Sequence, residues 1–315
     1  TVPWACGGRV VGGQERGGRP MRVLVTGATG FVASHLIPEL VTRGDLVFAL
    51  GHDPARLDNL GALSGVETVV ADLRSRDVQA FLPAAIDAVV HLAQANVAFP
   101  GGAADLWEVN AGSTARLLEW ARQAGAHSFV LASTGSVYGN GDRPWREDDP
   151  AVGPGAYPAT KIAAERILSA YAPYMATVAL RLFAPYGPGQ RGRMVPGIVG
   201  RVRNGTPVSL REGGRPRINP IYVDDVSGIL ADATRLTGNH LINVGGDEVL
   251  SIADIATAVG EALGIAPVFE DAPGTTGGDT VGDVTQMATV FGKGRARTPF
   301  AEGVARVIAE IVGTA

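Results

Sequence analysis

The sequence holds one cysteine, Cys6, so no disulfide can close within the chain and nothing calls for an oxidising compartment. Charge is sparse: Asp, Glu, Lys and Arg make up 18% of the residues and leave a formal net charge of −4. Without a basic excess, the chain lacks the electrostatic footprint of a general nucleic-acid binder. No run of about 18 apolar residues occurs, so there is no candidate membrane-spanning helix. The five histidines, His35, His52, His91, His127 and His240, are scattered without ligand spacing, and no metal site is expected. Residues 1–20 lack the apolar core of a signal peptide; rich in Gly and Arg, they read as a flexible extension ahead of Met21. These absences point to a cytoplasmic protein with neither nucleic acid nor membrane as partner.

Hydrophobic residues, at 46% of 315, are ample for the core of one large domain or two closely joined ones. From Met21 to about Phe183, short apolar runs such as VLV and AVV alternate with longer amphipathic segments. That alternation predicts an α/β fold, a Rossmann-type doubly wound parallel sheet whose strands are buried on both faces. Beyond Arg181, Pro, Gly and Arg cluster through Ala184–Arg217 and the alternation stops, which predicts a smaller, mixed C-terminal lobe.

The first strand runs into Gly27-Ala28-Thr29-Gly30-Phe31-Val32-Ala33 and then a helix. Glycines permit the tight turn and let a pyrophosphate approach the helix N-terminus, while the small Ala33 lets helix and strand pack. Gly27, Thr29, Gly30, Phe31 and Val32 are therefore candidate dinucleotide contacts. An acid at the end of the second strand would hold the ribose hydroxyls of NAD. Gly51-His52-Asp53 stands there instead, which tilts the reading towards NADP with His52 and Arg56 facing a 2′-phosphate; Asp53, two residues late, keeps NAD open.

Tyr157-Pro-Ala-Thr-Lys161 places a phenol and an ammonium four residues apart, on one helix face. A neighbouring cation favours the tyrosinate, making Tyr157 a general acid/base for a substrate hydroxyl, with Lys161 also able to hold the nicotinamide ribose. The stretch Ser133-Thr134-Gly135-Ser136 supplies a third hydroxyl at a strand end.

With VTGATGFVASHL, ADL (Ala71–Leu73), VVHLA (Val89–Ala93), Asn110, STGSVYG, YPATK, RLFAPYGPGQR, IYVDDV and NVGGDEVLSIADIA in order, the chain resembles the extended short-chain dehydrogenase/reductases. Within them it is similar to the NAD-dependent epimerase/dehydratase family, from about Met21 to the C-terminus. The resemblance implies Asp72, with Leu73, at the adenine, Leu92 and Ala93 along the dinucleotide channel, and Thr134 on the reacting hydroxyl beside Tyr157 and Lys161. It further implies a nucleotide-linked sugar as substrate, hydride transfer at a ring carbon such as C4, and a homodimer built on two long helices near Gly112–Ala124 and Tyr157–Ala170. Asn96, Ser136, Arg191 and Arg217 are the candidate substrate contacts. The domains expected are residues 21–180 for NAD(P), also receiving 219–248, and 181–218 with 249–315 as a substrate-binding lobe.

Departures narrow the chemistry. Gly135-Ser136 stand where the family's 4,6-dehydratases carry Asp-Glu, which argues against dehydration. Ala184-Pro185 replace the usual Asn before Tyr-Gly-Pro, and the arginine ahead of IYVDD is displaced by one, at Arg217. An NAD(P)-dependent sugar epimerase is the leading expectation. An NADPH-dependent ketoreductase of a nucleotide-linked keto-sugar stays open, as does a non-catalytic NAD(P)-sensing regulatory protein.

Overall fold

The computed structural model of the chain describes residues 19–211, 214–272, 278–294 and 298–313. The extension expected over residues 1–20 lies outside them, apart from Arg19 and Pro20. Six strands follow in order: β1 (Arg22–Thr26), β2 (Leu46–Gly51), β3 (Val66–Val70), β4 (Ala88–His91), β5 (Ser128–Thr134) and β6 (Ala176–Leu182). An edge strand, Asn239–Val244, completes a seven-stranded sheet ordered β3, β2, β1, β4, β5, β6, edge strand. The pairings of β1 with β2 and β4, of β2 with β3 and of β4 with β5 are parallel. β1 and β4 are buried almost throughout, as unalternating apolar runs require when helices cover both faces.

Helix α1 (Phe31–Thr42) follows β1 and α2 (Pro54–Gly61) follows β2. After β4 come α3 (Ala103–Trp107), a π-helical turn over Glu108–Gly112 and α4 (Ser113–Gln123); α5 (Ala156–Ala170) precedes β6. Strand order reverses between β1 and β4, and in a sheet of this kind the ligand crevice opens beyond the strand ends at that switch. Leu24, Phe48, Val89, Leu117, Phe129 and Leu168 belong to the core of this part.

The chain divides into two compact units. The first comprises residues up to Val137, Ala151–Arg181 and Ser227–Ile242; the second comprises Tyr138–Pro150, Leu182–Val226 and Asn243 onward. Of the returning stretch 219–248, the first unit takes only Ser227–Ile242, and Tyr138–Pro150 falls with the second. Later helices are α6 (Met194–Arg203), α7 (Val223–Ala233), α8 (Ile252–Leu263), α9 (Thr285–Phe291) and α10 (Phe300–Gly313). The second unit has its own core, in which Val199, Ile255 and Val304 pack with Tyr186 and Tyr222. Asp224 and Asp225 stand in the first turn of α7, and Asp225 accepts from the Thr298 N–H at 3.1 Å. No helix among the described residues is long and apolar enough to cross a membrane.

Candidate active site

At the switch point the chain leaves β1 through Gly27, whose φ of +65° suits glycine and whose side a Cβ would place 2.9 Å from the backbone of Ala93. The Gly30 N–H donates to the Gly27 carbonyl at 2.9 Å, and Gly30 caps α1 without any side-chain hydrogen bond. The N–H groups of the first turn are therefore left for an anion, and the cradle fits a pyrophosphate. Phe31 and Val32 are half-buried at the helix start, and Ala33 packs in the core.

Behind this turn lies a buried chain of hydrogen bonds. Ser113 donates to the Val109 carbonyl at 2.6 Å, and its oxygen meets His91 Nε2 at 3.2 Å. His91 Nδ1 meets the Thr26 hydroxyl at 2.7 Å, which in turn accepts from the Ala93 N–H at 3.2 Å. Since Ser113 spends its proton on Val109, His91 donates from Nε2 and accepts at Nδ1. Burial holds that ring neutral, pushing its pKa down to about 3, with the Lys161 charge acting in the same direction.

The end of β2 carries no acid. Gly51 is buried, and a Cβ there would stand 3.2 Å from the Leu57 side chain. His52 is exposed; Asp53 caps α2 by accepting from the Ala55 N–H at 3.1 Å. Arg56 Nη2 donates to the Thr29 carbonyl at 2.8 Å, joining α2 to the glycine turn. Asp72 is chelated by Arg74, whose Nη2 reaches Oδ2 at 2.8 Å and holds the carboxyl below its usual range. Leu73 is buried, its carbonyl accepting from Arg116 at 2.6 Å, and Leu92 and Ala93 are half-buried after β4.

Helix α5 starts after Gly155, at φ +104°, with Pro158 in its first turn where the missing N–H costs nothing. The Tyr157 hydroxyl donates to Gln94 Oε1 at 2.7 Å. Lys161 is 1% exposed and donates to the Ala132 carbonyl on β5 at 2.5 Å; burial pulls its ammonium down to about 8. Thr134, at the end of β5, has its hydroxyl 3.0 Å from that of Ser136 and accepts the Ser136 N–H at 3.2 Å. The first unit thus carries the glycine turn, Leu92, Ala93, Asn96, Thr134, Ser136, Tyr157 and Lys161. Asn96 is exposed in the segment after β4.

Arg191 and Arg217 belong to the second unit. Arg191 is exposed, while Arg217 grips the buried Asp279 through Nε at 2.8 Å and Nη2 at 2.7 Å. Two residues with no role expected from the sequence stand in the site. Gln94 meets Tyr157, and Asn110, in the π turn, bonds both backbone groups of Ala95 and the Thr160 hydroxyl. The Asn110 motif was visible; its partners, distant in sequence, were not. Among the described residues, no group of three or more His, Cys, Asp or Glu could hold a metal ion.

The model of the family described as NAD dependent epimerase/dehydratase matches residues 23–245. The UDP-glucose 4-epimerase of Neisseria meningitidis serogroup B is 27% identical over 303 residues, covering 81% of this chain and 86% of that protein. The solved structure of MoeE5 in complex with UDP-glucose and NAD is similar with a TM-score of 0.81 and 31% identity, covering 93% of this chain and 99% of that one. The UDP-glucose 4-epimerase of Thermus thermophilus in complex with NAD has a TM-score of 0.78 and 29% identity, covering 94% and 100%. The chain belongs to the NAD-dependent epimerase/dehydratase family.

Proposed function

We propose that this chain is an NAD-dependent 4-epimerase of a UDP-linked sugar, working as a cytoplasmic homodimer. The observation that carries the reading is a hydroxyl, a phenol and a buried ammonium, from Thr134, Tyr157 and Lys161, in the same unit as an open glycine cradle. Gly27, Thr29, Gly30, Phe31 and Val32 would hold the pyrophosphate, with Asp72 and Leu73 on the adenine side and Leu92 and Ala93 along the channel. The Neisseria relative and the Thermus neighbour are named UDP-glucose 4-epimerase, MoeE5 holds UDP-glucose, and both solved neighbours contain NAD. For that reason NAD replaces the tilt towards NADP, and His52 and Arg56 become contacts at the ribose edge.

Bound NAD supplies the acceptor and donor of the hydride exchanged at the sugar carbon. Tyr157 takes the proton from the carbinol hydroxyl and returns it after the ring has turned. Lys161, charged below about pH 8, stabilises the phenolate. Thr134 holds the same hydroxyl, with Ser136 orienting Thr134. No acid follows Thr134 to eliminate water, so the reaction stops at inversion. Arg191 and Arg217, with Asn96, are assigned to the substrate side, and the second unit is the substrate-binding lobe. The homodimer would use α4 and α5, beyond whose end Tyr174 is exposed.

The test begins with protein purified without added cofactor and then denatured. Near-stoichiometric release of NAD, with interconversion of UDP-glucose and UDP-galactose and no net nucleotide consumed, is the expected result. Tyr157→Phe should lower kcat by roughly 10²–10⁴-fold while NAD content stays unchanged. An empty protein that consumes NADPH would make it a ketoreductase. A Tyr157→Phe variant with full biological activity would make it a sensor.

A further inference from the structure

Tyr157, Lys161 and Glu165 stand four apart on α5, one above another on a single face. The carboxylate of Glu165, its side chain 4% exposed, has three ties. The Ser133 hydroxyl donates to Oε1 at 2.5 Å, Arg181 Nε donates to the same oxygen at 3.0 Å, and Arg181 Nη2 donates to Oε2 at 2.7 Å. Arg181 comes from β6 and Ser133 from β5. Successive residues of β5 are thus engaged in register: Ala132 by Lys161, Ser133 by Glu165, and then Thr134, whose hydroxyl enters the site.

An ion pair buried this deeply contributes little to stability. Desolvation offsets most of its Coulombic gain, and an apolar pair of similar volume often serves as well. We propose that Glu165, held by Arg181, is a positioning residue for the epimerisation: it locks α5 to the end of β5, so that Lys161 and Thr134 keep register, and it sets a negative charge behind the ammonium. The inference rests on the proposed epimerase reading for its kinetic readout only. Burial lowers the Lys161 ammonium towards neutrality, and the Glu165 charge opposes that shift. The other groups around Lys161 are Tyr157 on its own helix, Arg181 across Glu165 on β6, and His91 on β4, which stays neutral.

Three variants separate charge from position. Glu165→Gln should move the alkaline limb of the kcat profile to lower pH by roughly half to one unit, with kcat down about 10-fold and KM within about 3-fold. Ser133→Ala, which loosens the helix from β5 but keeps the charge, should lower kcat a few-fold and leave the limb in place. Where Glu165→Gln leaves Arg181 uncompensated and the protein unfolded, Glu165→Gln with Arg181→Met carries the same expectation. A substrate-free readout is the ultraviolet titration of tyrosinate, taken as the difference between each background and its Tyr157→Phe derivative. Glu165→Gln should move that titration away from that of the parent. An unmoved limb and an unmoved tyrosinate titration, with kcat equal to that of the parent once corrected for folded fraction, would overturn the proposal. A parent enzyme that epimerises nothing would sink the functional reading instead, while the tyrosinate titration would still decide the role of Glu165.

Discussion

At the scale of single residues, Ala184 is the clearest misfit. It sits at φ +45°, a left-handed conformation that costs an L side chain about 1–2 kcal/mol and suits Gly or Asn. Ala184→Gly should therefore raise stability by about 1 kcal/mol, read as a higher denaturant midpoint with an unchanged slope; a lower midpoint would refute the strain. His91 makes a second prediction, for pH. Its ring takes up a proton near 6.5 when unfolded but only near 3 when folded, so between those values the unfolded chain binds the extra proton. Stability should thus fall as pH drops from 6.5, and be flat in this contribution above it. A smaller drop in urea midpoint from about pH 7 to about pH 5 in His91→Gln checks it; equal drops in both proteins would remove His91 as the cause. Tyr157 and Lys161 were singled out in the sequence because helical spacing sets them on one face of α5 and a Gly-rich turn and a strand-end hydroxyl precede them. Gln94, Glu165 and Arg181 were not, since each acts through partners from other strands or loops.

Among the elements, α8, a helix the apolar periodicity of residues 252–263 suggests, has both of its ends written locally. Ser251 and Asp254 form a reciprocal capping box, and Gly264 ends the helix at φ +68°. Ser251→Ala should cost about 1 kcal/mol, measured as a lowered midpoint, and Ser251→Asp should recover most of it. Helix α6 was hidden for the opposite reason. Pro196, Gly197 and Gly200 read as loop punctuation, yet Val195, Ile198, Val199 and Val202 are all buried in the second core and hold the helix by packing. Helix α2 was also unseen: only Leu57 among its eight residues is buried, so no apolar stripe announces it. Of the strands expected over residues 22–26, 46–50, 67–71, 88–92, 128–133 and 177–183, the first matches the structure. The others are off by one residue at one or both ends, where a single hydrogen bond decides the boundary.

For the molecule as a whole, the two cores do not imply two independent folding units. The chain passes between units at 137/138, 150/151, 181/182, 226/227 and 242/243. Three of those passages fall inside regular elements: β6, α7 and the strand Asn239–Val244. Neither unit can melt without breaking elements that the other shares, so calorimetry should show one cooperative transition, with added NAD shifting the whole of it. Two resolved transitions, only one of them moved by NAD, would contradict this. The same threading bears on how such a protein can change its substrate. A donor lobe could not be spliced in as one cassette, because three separate stretches would have to arrive together, with joints in the middle of strands and a helix. On the proposal that the second unit binds the substrate, grafts of that unit between relatives will fail unless all three stretches travel as a set.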